Sequence, residues 1–214
     1  MKCTATGNSV AGYFEEKSPL FPWEKWCEIF KVSHYRQLGR DTFARETLRL
    51  IADERNLFAA MTHLYNHGGA APGPDGETWC LFEDASERWA WCRQLKEEIL
   101  DQSYEPGEYF VCQIPKASGI GVRRIAVQNL TDKVVQRGVA QVLGAMLDLC
   151  FLPGSYGYRP QRNRAMALAE VERPVVEEDR PVWVVADVQD AFDNVPLPPV
   201  LELLLSHVRR KDLQ

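Results

Sequence analysis

The sequence predicts an α+β fold, and three observations carry that expectation. Helical stretches with apolar rhythm flank a pair of short strands. Strands and helices do not alternate in the steady βαβ order that builds a parallel sheet. The third is the run VWVVAD at residues 182–187, apolar and β-branched, which reads as a buried strand ending in a carboxylate.

Element by element, residues 1–40 hold aromatic anchors (Phe21, Trp23, Trp26, Phe30, Tyr35) with weak periodicity and read as an irregular or partly helical lead-in. Asp41 and Thr42 can cap one helix running through FARETLRLIADERNLFAAMTHLYNH to Gly68 and Gly69. A Gly/Pro-rich loop, GGAAPGPDGET, follows, and a second helix spans about 86–100 with Trp89, Leu95 and Ile99 among its apolar positions. Residues 108–114 and 122–128 read as the two strands of a hairpin turning at KASGIG. Residues 129–150 form a long helix, with Val134, Val135, Val139, Val142, Leu143, Met146 and Leu147 in helical rhythm. The loop PGSYGYRPQRNR leads to a shorter helix at 165–172, then the strand 182–187. VPLPPVLELLLSHVRRK opens a last helix with prolines at its start.

The chain has 214 residues, 45% apolar and 26% charged, the composition of an ordinary globular protein with room for a sizeable core. Its N-terminus lacks the apolar segment of a secretory signal, and no run approaches a membrane span. Six scattered cysteines without a C-x-x-C pair argue against a zinc ribbon and fit reduced thiols, hence an expected cytoplasmic location. Net charge is −5, but unevenly spread. Residues 113–173 hold nine Lys/Arg against four Asp/Glu, while both flanks are acidic. Such a basic middle can attract phosphate locally, although a solvated basic face would show the same count.

Four groups of residues have chemistry to offer. Lys116 and Arg123 flank the hairpin tip and can grip a triphosphate, Lys as a mobile point charge and Arg as a fork. An exposed turn with ordinary charges is the competing reading. Arg159, Arg162 and Arg164, interleaved with Tyr156 and Tyr158, suit phosphate contacts and base stacking, or simply rim a rigid turn. His63 and His67 stand four apart on one helix but lack a third ligand and the Glu of HExxH. Asp187 ends an apolar strand, where an unpaired charge is costly, so a partner or a metal is expected. Asp190 and Asp193 follow as possible ligands or as turn and cap residues.

Five blocks in order resemble the reverse transcriptases of the bacterial group II intron type. GAAPGPDGET is similar to G-A-x-G-x-D-G-x-T, and QIPKASGIGVRRIAV to the fingers hairpin I-P-K-x-x-G-x-x-R-P-L-x-I. LTDKVVQRGVAQVL matches the D-K/R-V-V-Q helix, SYGYRPQRNRAMALA is close to S-Y-G-F-R-P-G-R-S-x-x-x-A, and VVADVQDAFDNV matches the block with the first catalytic aspartate. The resemblance implies a right-hand polymerase fold, present as fingers and the first part of the palm. It divides the chain into a lead-in and helix of unclear role (1–68), a fingers-like region (69–173) and the start of the palm (174–214).

The resemblance also assigns roles. Asp187 is the first metal-binding aspartate, with the Val188 carbonyl as a further ligand for Mg²⁺ or Mn²⁺. Phe192 lies under the incoming sugar and would exclude a 2′-hydroxyl; Lys116 and Arg123 hold the dNTP phosphates; Tyr156, Arg159, Arg162 and Arg164 meet nucleic acid. The implied reaction is two-metal, template-directed dNTP addition to a DNA primer on an RNA template. Arg124, Gln128 and Gln161 depart from the pattern, standing where the family has Pro, Pro and Gly. The Y-x-D-D block is absent, so this chain alone is expected to be inactive until a C-terminal palm and thumb half, in the same or another chain, completes it. Two rival readings stay open: a non-catalytic RNA- or nucleotide-binding remnant, and a phosphoacceptor Asp187, which the single helix after it disfavours.

Overall fold

A computed structural model describes residues 40–67, 71–79, 84–117, 119–148, 151–188, 191 and 194–208. The expected lead-in lies almost wholly outside these residues. The described architecture is mixed: helices around one two-stranded antiparallel sheet, in agreement with the α+β expectation at that level. The chain divides into two compact units, Met1–Ala145 and Met146–Gln214.

In the first unit the single helix expected at 41–67 is two, α1 (Arg40–Ala52) and α2 (Glu54–His67). Asp53 causes the break. Its carboxylate accepts the Arg55 N–H at 2.9 Å, and its carbonyl accepts the Leu57 N–H at 3.0 Å, so it caps a new helix. The Asn56 amide then donates to Ile51 O at 2.9 Å, near the end of α1. Helix α3 (Ala85–Leu100) begins at Asp84 with a reciprocal capping box to Glu87, close to the expected start.

Strands β1 (Tyr109–Pro115) and β2 (Val122–Gln128) pair antiparallel, and the return strand has the expected bounds. Helix α4 (Leu130–Leu147) buries Leu130, Val134, Gly138, Val142 and Ala145, a stripe at helical spacing. Gly138 in that stripe permits close approach: Asn56 donates to its carbonyl at 3.1 Å, and Gln141 donates to Asn56 Oδ1 at 2.7 Å. The core joins Leu57, Phe58, Ala60 and Met61 of α2 to Cys92 and Leu95 of α3 and Leu130 and Val134 of α4. Phe58 stacks on Trp89 at 4.3 Å. Burial pushes the Cys92 thiol up to about 12, so this cysteine is core filler rather than a nucleophile.

In the second unit α5 (Arg164–Glu178) is longer than the expected 165–172, running through Pro174 and ending where Asp179 turns left-handed at φ 51°. The last helix, α6 (Leu197–Val208), carries its prolines in the first turn as expected. The strand expected at 182–187 is not formed. Residues 181–188 have no regular structure and are exposed, with Val184 and Val185 about nine-tenths so. The physical reason is the missing ladder. A strand is stable only beside partners that take up its backbone groups, and among the described residues β1 and β2 pair solely with each other.

Candidate nucleotide and nucleic-acid site

The hairpin register decides which side chains share a face. Partners in an antiparallel pair lie on the same side, so Phe110 and Val127, Cys112 and Ile125, and Ile114 and Arg123 form one face, and Val111, Gln113, Arg124 and Val122 belong to the other. Lys116, two beyond Ile114, continues the first face. A Cβ built on Gly121, the residue just before β2 and two positions from Arg123, would lie 3.8 Å from Lys116 Cδ. Lys116 and Arg123 therefore project from one face at the hairpin tip, both exposed, above a strip of apolar side chains. Arg124, next in sequence, faces away. The tip is tightened by Lys116 N–H to Gly121 O (3.1 Å) and Gly119 N–H to Lys116 O (2.9 Å), with Gly119 and Gly121 at positive φ.

The root of the hairpin is braced by the start of α4. Asp132, buried, accepts the Tyr104 hydroxyl and the Gly107 N–H, the latter at 3.2 Å. Burial, reinforced by the Asp132 bond, pushes the Tyr104 phenol well above its ordinary range. Asn129 Oδ1 accepts the Asp75 N–H at 3.3 Å, and Lys133 Nζ donates to Ala71 O at 3.0 Å. Thus the GPDG loop and the segment entering β1 are tied to the residues leaving β2. A cavity of about 500 Å³ lies in this brace, lined in part by Asp75, Glu77, Glu98, Glu105 and Asp132. Its carboxylates would repel a triphosphate, and the hairpin cations are not among its walls.

The arginine loop belongs to the second unit and is held from within. Arg159 pairs with Asp148 (Nε to Oδ1, 2.7 Å) and donates to the carbonyls of Asp148 (3.0 Å), Leu152 (3.1 Å) and Ser155 (2.9 Å). Its side chain is 7% exposed, and its guanidinium lies over Phe151. Arg162 donates to Pro153 O at 3.0 Å and covers the Tyr156 ring, with 5.2 Å from Cζ to the centroid. Arg164, the first residue of α5, is exposed, and Tyr158 is fully so. Two non-glycine residues here have positive φ, Tyr158 (55°) and Gln161 (56°). Gln161 is the position where the resembling pattern has Gly, so the turn is kept although its glycine is replaced.

Asp187 and Val188 are exposed on the irregular run 181–188. Phe192, like Asp190 and Asp193, lies outside the described residues. Among the described residues no three His, Cys, Asp or Glu side chains gather as metal ligands. One carboxylate and a carbonyl fall short of the near-octahedral shell that Mg²⁺ demands, so the residues described here do not fit that ion by themselves. His63 and His67, four apart on α2, stack at 4.6 Å between ring centroids. No described helix is long and apolar enough to cross a membrane.

The structure thus brings Lys116 and Arg123 together on one face, and gathers Tyr156, Arg159, Arg162 and Arg164 in one loop. Sequence reading missed Asn129, Tyr104, Asp132 and Asp148 as the residues that fix these elements. The D-K-V-V-Q block flagged Asp132, but nothing in its spacing named partners 25 and 28 residues away.

The chain's likeness to known proteins points the same way as the ordered sequence blocks. No protein-family model matches the chain. Protein YkfC of Escherichia coli (strain K12) is 30% identical over 168 residues, 77% of this chain and 42% of that protein. Group II intron-encoded protein LtrA of Lactococcus lactis subsp. cremoris is 24% identical over 187 residues, 86% of this chain and 29% of that one. An uncharacterized 91 kDa protein in a cob intron of Schizosaccharomyces pombe is 30% identical over 174 residues, 81% of this chain and 20% of that one. The chain spans less than half the length of each. The chain is thus similar to group II intron-encoded proteins, which is the resemblance that its ordered sequence blocks carry.

Proposed function

We propose that this chain forms the fingers and the first part of the palm of an RNA-directed DNA polymerase, and that its share of the reaction is to hold nucleotide and template. The observation that supports this reading is the hairpin register, which pairs Arg123 with Ile114, two positions before Lys116, so that a triphosphate at the hairpin tip is within reach of both cations. Phe192 is assigned to the wall beneath the sugar, favouring deoxynucleotides. Asp187 is assigned as one carboxylate of a divalent-metal centre whose other carboxylates come from a palm and thumb half in the same or another chain. Mg²⁺ is the expected ion, with Mn²⁺ as a substitute, and the chemistry it supplies belongs to the completed centre.

Primer extension on poly(rA)/oligo(dT) with Mg²⁺ tests this. Residues 1–214 alone give no extension. Addition of the completing half restores it, and Asp187→Ala abolishes it again. Persistent inactivity of the completed protein would sink the polymerase reading. The second reading, an RNA- or nucleotide-binding remnant, draws on Asp187 standing without companion carboxylates among the described residues. It predicts salt-sensitive RNA binding with no extension in any combination.

A further inference from the structure

We infer that Tyr158, rather than Tyr156, is the platform on which the arginine loop stacks an unpaired base of single-stranded RNA. The inference rests on the nucleic-acid reading above and reassigns roles within it. Tyr156 is half-buried beneath the Arg162 guanidinium, so that face of its ring is taken. Arg159 spends donors on Asp148 and three backbone carbonyls, which makes it a positioning residue and not a phosphate contact. Tyr158, between them, is the opposite case. Its ring is fully exposed, 107% of the reference area, and no hydrogen bond or ring contact engages it among the described residues.

Its backbone is held at φ 55°, a conformation a bulky side chain adopts only when its surroundings impose it. Those surroundings are the bonds of Arg159 immediately after it, Pro160, and the Arg162 N–H to Arg159 O bond (3.3 Å) that closes the next turn. The loop therefore fixes an aromatic ring outward at a cost in backbone strain. Aromatic rings accept any base by stacking, and an aromatic side chain has only two χ angles to order when it does so. Arg164, exposed at the start of α5 six positions after Tyr158, supplies a phosphate-seeking charge on the same loop–helix segment, within a region carrying nine basic residues against four acidic.

The test is fluorescence anisotropy of the full chain with fluorescein-labelled oligo(rA), read as Kd across a salt series, with Tm measured on each variant. Tyr158→Ala weakens binding about fivefold or more, the lower end of the loss for one stacked base. The slope of log Kd against log salt stays as in the parent, because no phosphate contact is removed. Tyr158→Phe binds as the parent does. Tyr158→Gly separates this role from a structural one: removing the side chain relieves the positive φ, so Tm holds or rises while affinity falls. Parent-like binding by Tyr158→Ala, or a fall in Tm that tracks the loss of affinity in Tyr158→Gly, overturns the inference and leaves RNA binding intact. Failure of the parent to bind RNA overturns it together with the nucleic-acid reading.

Discussion

Gly73 lies directly against the backbone of Asn129: a Cβ added to Gly73 would stand 2.5 Å from the Asn129 Cα and 2.4 Å from its Oδ1. Gly107 presses on the same residue from another segment, its Cβ position 2.3 Å from Asn129 Nδ2. One asparagine at the β2–α4 junction is thus clasped by two glycines 34 residues apart in sequence. The glycine of the GPDG block serves close approach at the hairpin root, with its residues bonded to the chain itself.

Gly73→Ala must therefore move backbone. It destabilises the chain by about 1–3 kcal/mol, the usual range for overpacking, read as a lower midpoint in urea unfolding. Gly76→Ala has open space around it and pays only for its positive φ of 73°, so its loss is smaller. Equal losses at both positions would refute the clasp.

The Tyr104–Asp132 bond couples the segment entering β1 to α4. Asp132→Ala strands the Tyr104 hydroxyl and the Gly107 N–H and costs about 1–3 kcal/mol. Tyr104→Phe costs less, because Asp132 keeps its bond to Gly107. A double-mutant cycle gives a coupling energy of about 1 kcal/mol; additive losses would show that the two do not act as a unit.

Arg159→Lys is not conservative here. A lysine ammonium has no planar fork and does not reach Asp148 and three carbonyls together. Tm of Arg159→Lys falls nearly as far as that of Arg159→Ala. A lysine variant with parent Tm would return Arg159 to the surface.

Gln161 holds a left-handed conformation where glycine is at ease. Gln161→Gly relieves about 1–2 kcal/mol of strain and gives back roughly 0.5–1 kcal/mol in unfolded-state entropy, a net stabilisation on the order of 0.5–1 kcal/mol. Gln161→Val destabilises instead. Thermal unfolding of the pair settles the sign.

His63 titrates below its ordinary 6.5, chiefly through burial, with Arg137 and His67 adding repulsion. Its folded pKa is the depressed one, so the unfolded chain binds the proton first. The stabilising contribution of neutral His63 is complete above pH 6.5 and is lost as pH falls through the lower folded value. Denaturation midpoints measured from pH 8 down to 5 decline below about 6.5 in the parent and decline less in His63→Gln. Identical profiles would remove His63 as the cause.

Local chemistry was legible without coordinates. The hairpin strands, the Ala85–Leu100 and Leu130–Leu147 helices and the prolines opening the last helix all follow from turn residues, caps and periodicity, which act over a few neighbouring positions. The ordered blocks sufficed to point to the family. The break at Asp53 escaped that reading because an apolar rhythm runs across it, and the carboxylate that caps α2 looks in sequence like any helical Asp. The run 182–187 escaped for the opposite reason: its residues favour a strand, but a strand needs a neighbouring ladder, which composition cannot supply.

By itself, the sequence determined which residues carry charge, ring or carboxylate in this chain, and in what order. Only the tertiary structure decided which of them are spent. Arg159 and Tyr156 are turned inward by partners, Tyr158 and Arg164 are left outward, and Lys116 shares a face with Arg123 while Arg124 does not. Sidedness and availability depend on register and on contacts between segments distant in the chain, and those exist only once the backbone has closed on itself.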